Sequence, residues 1–576
     1  MNRGLSAAAE RLAGTWPWDT TSDADLDRAL AYLGVGVDAA AVEGAARVVG
    51  VVVGCAGVGV GACLLAFGSS VAGVIAASLG VAAGMSVPTV ATRGSRFLAT
   101  MARTRALGAA AALVGRAALR LRLDPTVERA AAFAARTGRG ALARSLDRHV
   151  RQATGTARSG FDGFVGEWGD RFPALERAVA RLDAAASAPA AERDQHLDRA
   201  VAASLDGARD ELASFTAEIR GPVTGLYAFG VLLPLALVGV LPAARATGAR
   251  VSLPLVVALY DLALPVGVVT AGAWLLARRP VAFPPPRIGG DHPETPDGWL
   301  GAVAAGVVAA GVGAAVASRV IGVWAALVAA AGVGPGVALV VHFHPAKRVR
   351  ERALAVEAEL DDALYLVGRR VSAGEAVETA VDAVSPRVAG ATGELLAEAA
   401  SRQRRLGVTV TEAFEGDGGA LATLPSRRAG EMATLFGLAA TEGRSAGDAL
   451  VATAEHVAEL RRVEREARRE LAQVTDTLAN TAAVFGPLVG GATVALSARV
   501  SHTGTGAGFG AGPLPTAELG VAIGAYVLWL AVALTVLATG LTRGLDRTLV
   551  GYRVGVTLCL AAACYLASYV GAGLFL

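Results

Sequence analysis

Apolar and polar positions divide this chain into long stretches where nearly every residue is apolar and blocks where apolar residues recur every three or four positions among charges. The apolar stretches are each about 20 residues, enough for a helix rising about 1.5 Å per residue to cross roughly 30 Å of hydrocarbon. The pattern predicts nine spans, at about 46–67, 71–90, 223–243, 251–277, 299–317, 320–343, 478–498, 519–541 and 550–575. The polar blocks predict amphipathic helices, and no alternating pattern predicts a strand. The expected fold is therefore all-α: a polytopic membrane protein with about nine transmembrane helices and two helical bundles outside the hydrocarbon.

The chain then reads as a polar N-terminal segment (1–45), spans 1 and 2 (46–90), a first helical block (91–222), spans 3 and 4 (223–277), a Pro-rich loop (278–298), spans 5 and 6 (299–343), a second helical block (344–476) and spans 7 to 9 (477–576). The N-terminal segment holds one predicted amphipathic helix, DADLDRALAYLGV, and no cleavable signal peptide is expected before the first span. In that span Gly50/Gly54 and Gly57/Gly61 are spaced four apart, which favours close helix approach.

Composition supports several spans over one large soluble core: 53% of 576 residues are hydrophobic, and the mean hydropathy is +0.49. Lys347 is the only lysine among 53 basic residues. The arginines are spread along the chain, so no nucleic-acid partner is expected. They are nonetheless biased with respect to the spans. With the N-terminus inside, the inner junctions carry Arg93, Arg96, Arg103, Arg105, Arg278, Arg279, Arg287, Lys347, Arg348, Arg350, Arg352, Arg543, Arg547 and Arg553. The outer loops carry only Arg245, Arg250, Arg319 and Arg499. The bias predicts cytoplasmic polar blocks and an outer C-terminus in a cell membrane. The first block has 21 Arg against 15 acids, a formal +6, and the second 18 basic residues against 22 acids, a formal −4. The two blocks could attract one another or offer different faces to one partner.

A repeat is visible at a near-constant offset. Leu113-Val114-Gly115-Arg116 recurs as Leu366-Val367-Gly368-Arg369, Val127-Glu128 as Val377-Glu378, and Phe229-Gly230 as Phe485-Gly486. The expectation is an internal duplication, with the ninth span added at the end.

Three phrases in the second block each put a Gly at a helix end before a new amphipathic helix: GRRVSAGEAVETAV (368–381), RRLGVTVTEAF (404–414) and AATEGRSAGDALVATAEHVAELRRV (439–463). In this order between apolar segments they resemble the cytoplasmic domain of the type II secretion F-domain family. That family comprises the inner-membrane platform proteins of type II secretion, type IV pili, Tad-type pili and the archaellum. The matching positions include Gly374, Gly407 and Gly443. Two blocks and nine spans look like the archaeal form. The first block, LRLRLDPTVERAAAFA, lacks the opening Gly, and its likeness is carried by the repeat.

What the resemblance implies is a structural role. A hexameric secretion ATPase would press on the bundles, and the protein would pass that motion to pilin-like subunits in the lipid bilayer; a homodimer is among the assemblies this role admits. The helix predicted from Ala446 to about Leu471 buries Leu450, Val457, Leu460, Val463 and Leu471 on one stripe. Its other faces carry Arg461, Arg462, Arg465, Arg468 and Arg469, candidates for ATPase docking or simply a solvated face.

The expected chemistry is non-enzymatic, with no cofactor or metal. A phosphate-binding GxxxxGK[ST] loop needs a Lys after Gly, whereas Lys347 follows Ala346. His342 and His344 flank Phe343 without an obvious third ligand. Gly443-Arg444-Ser445-Ala446-Gly447 fits G-x-S-x-G, yet the residues before it read as helix where a nucleophile elbow needs a strand. The four cysteines lie in apolar segments and are expected to pack as small hydrophobes. Asp261 is the one ionisable residue well inside a span, where a charge costs about 2.5–3.5 kcal/mol on insertion scales. It could serve an ion path or a helix contact, or simply be protonated or hydrogen-bonded. Duplicated halves and a buried Asp also suit a secondary transporter, the alternative reading.

Overall fold

Hydrocarbon offers the backbone no hydrogen-bond partner, so apolar stretches of this length must satisfy themselves as helices. The computed structural model describes residues 11, 13–17, 24–33, 37–66, 84–85, 87–89, 91–96, 99, 109–138, 140–156, 158–237, 240, 256–278, 298–502 and 516–575, and these contain helices and no strand. Eight described helical stretches are long and apolar enough to cross a membrane: Ala39–Gly59, Ala190–Leu237, Ala258–Leu276, Trp299–Val320, Val323–Ser372, Ala446–Arg499, Thr516–Arg543 and Arg547–Leu574. The protein is an all-α, multi-pass membrane protein. The expected span at 71–90 falls largely outside the described residues, as do the loops at 279–297 and 503–515.

Contacts divide the chain into two compact units. The first, 1–107 with 277–281, contains α1 (Ala24–Leu33) and α2 (Ala39–Ala66). Leu26, Leu30 and Ala39 form a small core here, and the Asp27 carboxylate accepts the Ala39 N–H at 2.6 Å, fixing the turn between the two helices. A Cβ on Gly50 would collide with the Gly84 carbonyl, and one on Gly84 with the Gly50 carbonyl, so the glycine spacing in α2 serves backbone-to-backbone packing on this chain's own segment.

The second unit, 108–276 with 282–576, carries the polar bundles. A first set of helices comprises α3 (Ala110–Leu123), α4 (Val127–Thr137), α5 (Ala141–Ala153), α6 (Gly160–Trp168), α7 (Pro173–Ser187) and α8 (Ala190–Tyr227), followed by a π-helical segment, Ala228–Leu232. Next come a π segment, Ala258–Ala263, and α9 (Leu264–Arg278), then α10 (Trp299–Val320) and α11 (Val323–Glu357). A second set follows: α12 (Leu360–Ser372), α13 (Val377–Val384), α14 (Gly390–Leu406), α15 (Val410–Glu415), α16 (Arg427–Glu442) and α17 (Arg444–Asn480), again followed by a π segment, Thr481–Phe485. The chain ends with α18 (Gly486–His502), α19 (Thr516–Arg543) and α20 (Arg547–Phe575). Each set is thus six helices and a π segment in the same order, and its first and last π residues lie 253 positions apart between sets.

Two features of the second set follow directly from sequence. Gly374, Gly407 and Gly443 have φ of 97°, 64° and 68°, a region that L side chains avoid, so each helix can end sharply and the next begin at a new angle. At α15 the Thr409 hydroxyl accepts the Glu412 N–H at 3.3 Å while Glu412 accepts the Thr409 N–H at 3.0 Å, a reciprocal capping box. The resulting core includes Val367, Val381, Leu396, Phe414 and Phe436, all fully or almost fully buried.

Helix α17 extends well past Leu471. It continues as one helix through its π segment into α18, so one helical run, Ala446–Arg499, carries both bundle and span. Run Ala190–Leu237 and helix α11, Val323–Glu357, do the same, and a two-residue turn at 358–359 separates α11 from α12.

Each π segment precedes a proline: Pro234, Pro265 and Pro487. A proline has no N–H for the carbonyl four residues back and clashes with it, and the wider π turn relieves the clash. For Pro234 that carbonyl belongs to Gly230, and it accepts the Tyr526 hydroxyl at 3.2 Å; the Tyr260 hydroxyl donates to the Pro234 carbonyl at 2.8 Å. Tyr260 and Tyr526 themselves meet edge to face at 5.3 Å. Tyr526→Phe removes the donor to Gly230 while keeping the ring. We expect the variant to lose about 0.5–2 kcal/mol, read as a lower thermal midpoint in detergent; an unchanged midpoint would mean that the hydroxyl has no role in holding this kink.

Candidate functional site

The residues singled out by sequence gather around α17. Its apolar stripe is in place: Leu450, Val463 and Leu471 are buried and Val457 and Leu460 half-buried. Against α12 the two helices touch backbone to backbone. A Cβ on Gly447 would collide with the Ser372 amide, and one on Gly368 would lie 3.0 Å from the Gly447 carbonyl. Ser445 sits in the first turn of α17, and the segment before it is helix α16, so the strand-turn-helix geometry of a nucleophile elbow is not formed there. Gly447 in that phrase serves helix packing instead.

The five arginines of α17 separate into two kinds. Arg461 is ion-paired with Asp361 of α12. Arg468 donates to Glu464 at 2.5 Å, and Glu464 is buried and also accepts from Arg428 of α16, at 2.8 Å. Arg428 lies 3.7 Å from Glu357, whose other carboxylate oxygen accepts the Ser426 hydroxyl at 2.8 Å. Burial pushes the Glu357 carboxyl above the usual range, against the pull of Arg428. Arg468 itself is exposed despite its pair with Glu464. Arg462, Arg465 and Arg469 are exposed as well. Arg462 has its nearest acid, Glu459, at 3.7 Å, and Arg465 donates to the Arg461 carbonyl at 3.3 Å. These three form the outward-facing basic edge of the bundle.

The opposite side of α17 meets the first set of helices, and here the charge difference between the two blocks becomes contact. Arg116 and Arg120 of α3 pair with Glu431 and Glu442 of α16, the latter at 3.1 Å, and Arg209 of α8 pairs with Glu459 of α17. In all three the arginine comes from the first block and the glutamate from the second. Burial alone would raise the Glu431 carboxyl, but Arg116 and Arg427 beside it hold it below the usual range.

One residue at this junction went unnoticed in the sequence. His456 of α17 reaches under Gly115, where an added Cβ would stand 3.0 Å from the imidazole. A cavity of about 190 Å³ opens beside it, bounded by Arg122, Asp198, Thr453 and Glu459. Both ring nitrogens are buried without a well-formed hydrogen bond. Burial pushes the imidazole down to about 4, offset in part by the Ala111 backbone and reinforced by Arg122. The one available sign was its position seven residues before Val463 on the buried stripe of an otherwise charged helix.

The remaining candidates lie apart from this junction. Asp261 sits in the π segment ahead of Pro265 with its side chain half-buried, and the Tyr260 hydroxyl is committed elsewhere, to Pro234. The His342 ring stacks on Trp299 at 3.9 Å, whereas His344 lies beside Tyr552, so the two rings serve different neighbours. Among the described residues no three His, Cys, Asp or Glu side chains converge as a metal site. Cys55 is exposed on α2, Cys559 and Cys564 are half-buried in α20, and Cys63 lies where side chains are not described.

No family model, curated protein or solved structure matches this chain.

Two predictions follow from the junction. Arg116→Glu should destabilise the contact between the blocks, and Glu431→Arg in the same chain should restore much of the loss, as read by protease protection of α3. The second concerns pH. His456 is neutral when folded and ordinarily titrates near 6.5. Its contribution is therefore fully present above about pH 6.5 and is lost as pH falls toward 4. The wild-type thermal midpoint should drop across this window more steeply than that of His456→Gln; parallel pH profiles would exclude this role for the imidazole.

Proposed function

We propose that this protein is the membrane platform of a type IV pilus-like assembly machine of the pilus, archaellum or type II secretion kind, coupling a hexameric cytoplasmic ATPase to movement of pilin-like subunits in the bilayer. The observation that carries the proposal is mechanical. Three helical runs, Ala190–Leu237, Val323–Glu357 and Ala446–Arg499, pass without a break from polar bundle to apolar span. A push on a bundle is therefore a push on its spans, because a helix is stiff along its axis and the bundle glycines pack backbone on backbone.

Several features support the same reading. The three glycine phrases have the order and helix-end conformations that the resemblance to the secretion F-domain family requires. The twofold occurrence of six helices and a π segment supports an internal duplication, and with the span expected at 71–90 the total becomes nine. In this reading the N-terminus and both bundles are cytoplasmic and the C-terminus lies outside, in the orientation the arginine bias favours. Arg462, Arg465 and Arg469 are then the docking edge for the ATPase, while Arg461 and the exposed Arg468 are tied to Asp361 and Glu464. The protein makes and breaks no bond itself.

The rival is a secondary transporter, favoured by Asp261 in a π-helical break within a span, the kind of irregularity often found at functional sites. Affinity purification of the tagged full-length protein from detergent-solubilised membranes separates the two. The platform reading expects a secretion ATPase to co-purify, and Arg462→Glu/Arg465→Glu/Arg469→Glu to reduce its recovery about tenfold or more, a change of about 1.4 kcal/mol or more. A well-folded chain that recovers no ATPase with either ADP or an ATP analogue would overturn it, and substrate-dependent effects of Asp261→Asn would then support transport.

A further inference from the structure

A second basic cluster, separate from the α17 edge, lies where α11, α19 and α20 leave the apolar region. Arg543 is the last residue of α19, directly after its apolar run, and Arg553 lies within the first two turns of α20. The Arg350–Asp546 pair sets α11 against the turn three residues after Arg543, and Lys347 lies 4.7 Å over the ring of Tyr552, the neighbour of Arg553. Arg543 and Arg553 are each within electrostatic reach of Arg350, and of one another.

Three of the acids nearby are already engaged. Asp546 pairs with Arg350 and its other oxygen accepts the Thr548 N–H at 2.9 Å, capping α20. Glu351 is 3.1 Å from Lys347, and Glu464 serves Arg428 and Arg468. Asp476 lies within the same electrostatic reach of Arg553, short of an ion pair. Among the described residues Arg543 and Arg553 therefore have no carboxylate within ion-pair distance. Arg350 is 6% exposed, and its Nε is buried with no partner despite the pair with Asp546.

Like charges within electrostatic reach of one another repel, and a buried guanidinium N–H without an acceptor is costly. Both costs fall if an anion sits among them. The depth selects the anion: the ends of apolar spans lie at the headgroup layer, where lipid phosphates are concentrated. A phosphodiester presents two free oxygens and one negative charge, matching two planar guanidinium forks. An added ammonium would reverse that gain, so the match is to an anionic headgroup and not a zwitterionic one.

We propose that Arg543 and Arg553, backed by Arg350, form a binding site for the phosphodiester of an anionic phospholipid from the surrounding leaflet. The lipid completes the charge balance where α19 and α20 turn back on each other and ties that turn to α11. The site is independent of the platform reading, since it requires only that these helices span a bilayer.

The test is thermal unfolding of the full-length protein in neutral detergent, titrated with phosphatidylglycerol, phosphatidylcholine or free glycerol phosphate. Phosphatidylglycerol should raise the midpoint by several degrees, with little response to the other two. Arg543→Gln/Arg553→Gln should shift half-saturation about tenfold higher or abolish the response. Arg387→Gln/Arg405→Gln, which removes the same charge from the distant second bundle, should leave it intact. Equal responses to both lipids, an equal response to glycerol phosphate, or an undiminished response in the Arg543/Arg553 variant would each overturn the proposal. Should that variant fail to fold, native mass spectrometry of the wild type decides: a retained phosphatidylglycerol adduct supports the site, and none, or equal retention of phosphatidylcholine, overturns it.

Discussion

A backbone carbonyl in hydrocarbon must find a donor inside the protein, and this constraint governs how the bundles of this chain can join its spans. Polar helices could have been linked to spans by loops, but loops at the membrane boundary would have broken the backbone ladder and decoupled the two. Instead α8, α11 and α17 run through. Helices α8 and α11 take up Pro222, Pro335 and Pro345 within α-helix, and π turns stand ahead of Pro234, Pro265 and Pro487, where the helix widens by one residue without opening. Around the first of these, Tyr526 and Tyr260 supply donors from neighbouring helices to the Gly230 and Pro234 carbonyls. The kink is thereby fixed in direction, and bundle and span remain one rod with a set bend.

The polar sets are also joined to one another. Three Arg–Glu pairs join them, each with its arginine on the positive block and its glutamate on the negative one. Partly exposed pairs of this kind contribute little stability individually, commonly about 0–1 kcal/mol. Their common polarity matters more: it disfavours contact of either block with a second copy of itself and sets the register of one against the other. Specific packing comes from the apolar and glycine contacts along α17.

Much of this was legible in the sequence because the signals were long or sterically strict. Runs of about 20 apolar residues leave few alternatives to spans. A glycine between two amphipathic periods marks a helix end, and Gly374, Gly407 and Gly443 all take the positive φ that makes glycine necessary. The net charges of the blocks raised mutual attraction as one option, and the Arg116, Arg120 and Arg209 pairs realise it. What sequence could not supply was partner identity. Arg461, Arg462, Arg465, Arg468 and Arg469 look alike on a helical wheel, and only the placement of Asp361 and Glu464 shows which of them are held by a close carboxylate. His456 was invisible for the same reason: a histidine among charges reads as solvated until another helix is found lying over it. The π segments escaped because a proline in a span predicts a kink but not how the freed carbonyl is satisfied.

The repeated phrase Leu-Val-Gly-Arg shows how two similar sets can perform different tasks. Its glycines, Gly115 and Gly368, both face α17, one from each side. Gly368 lets the α17 backbone approach until a Cβ would stand 2.9 Å from that of Leu450, whereas Gly115 makes room for the His456 imidazole at a Cβ distance of 3.0 Å. The following arginines diverge in the same sense: Arg116 crosses to Glu431, while Arg369 stays exposed. Helix α17 is thus held tightly by its own set through backbone contact and more loosely by the other through a side chain beside a cavity. A displacement that enters through α17 would be resisted by α12 and accommodated at α3, so the gap around His456, and not the core of either bundle, is where the two sets have room to shift.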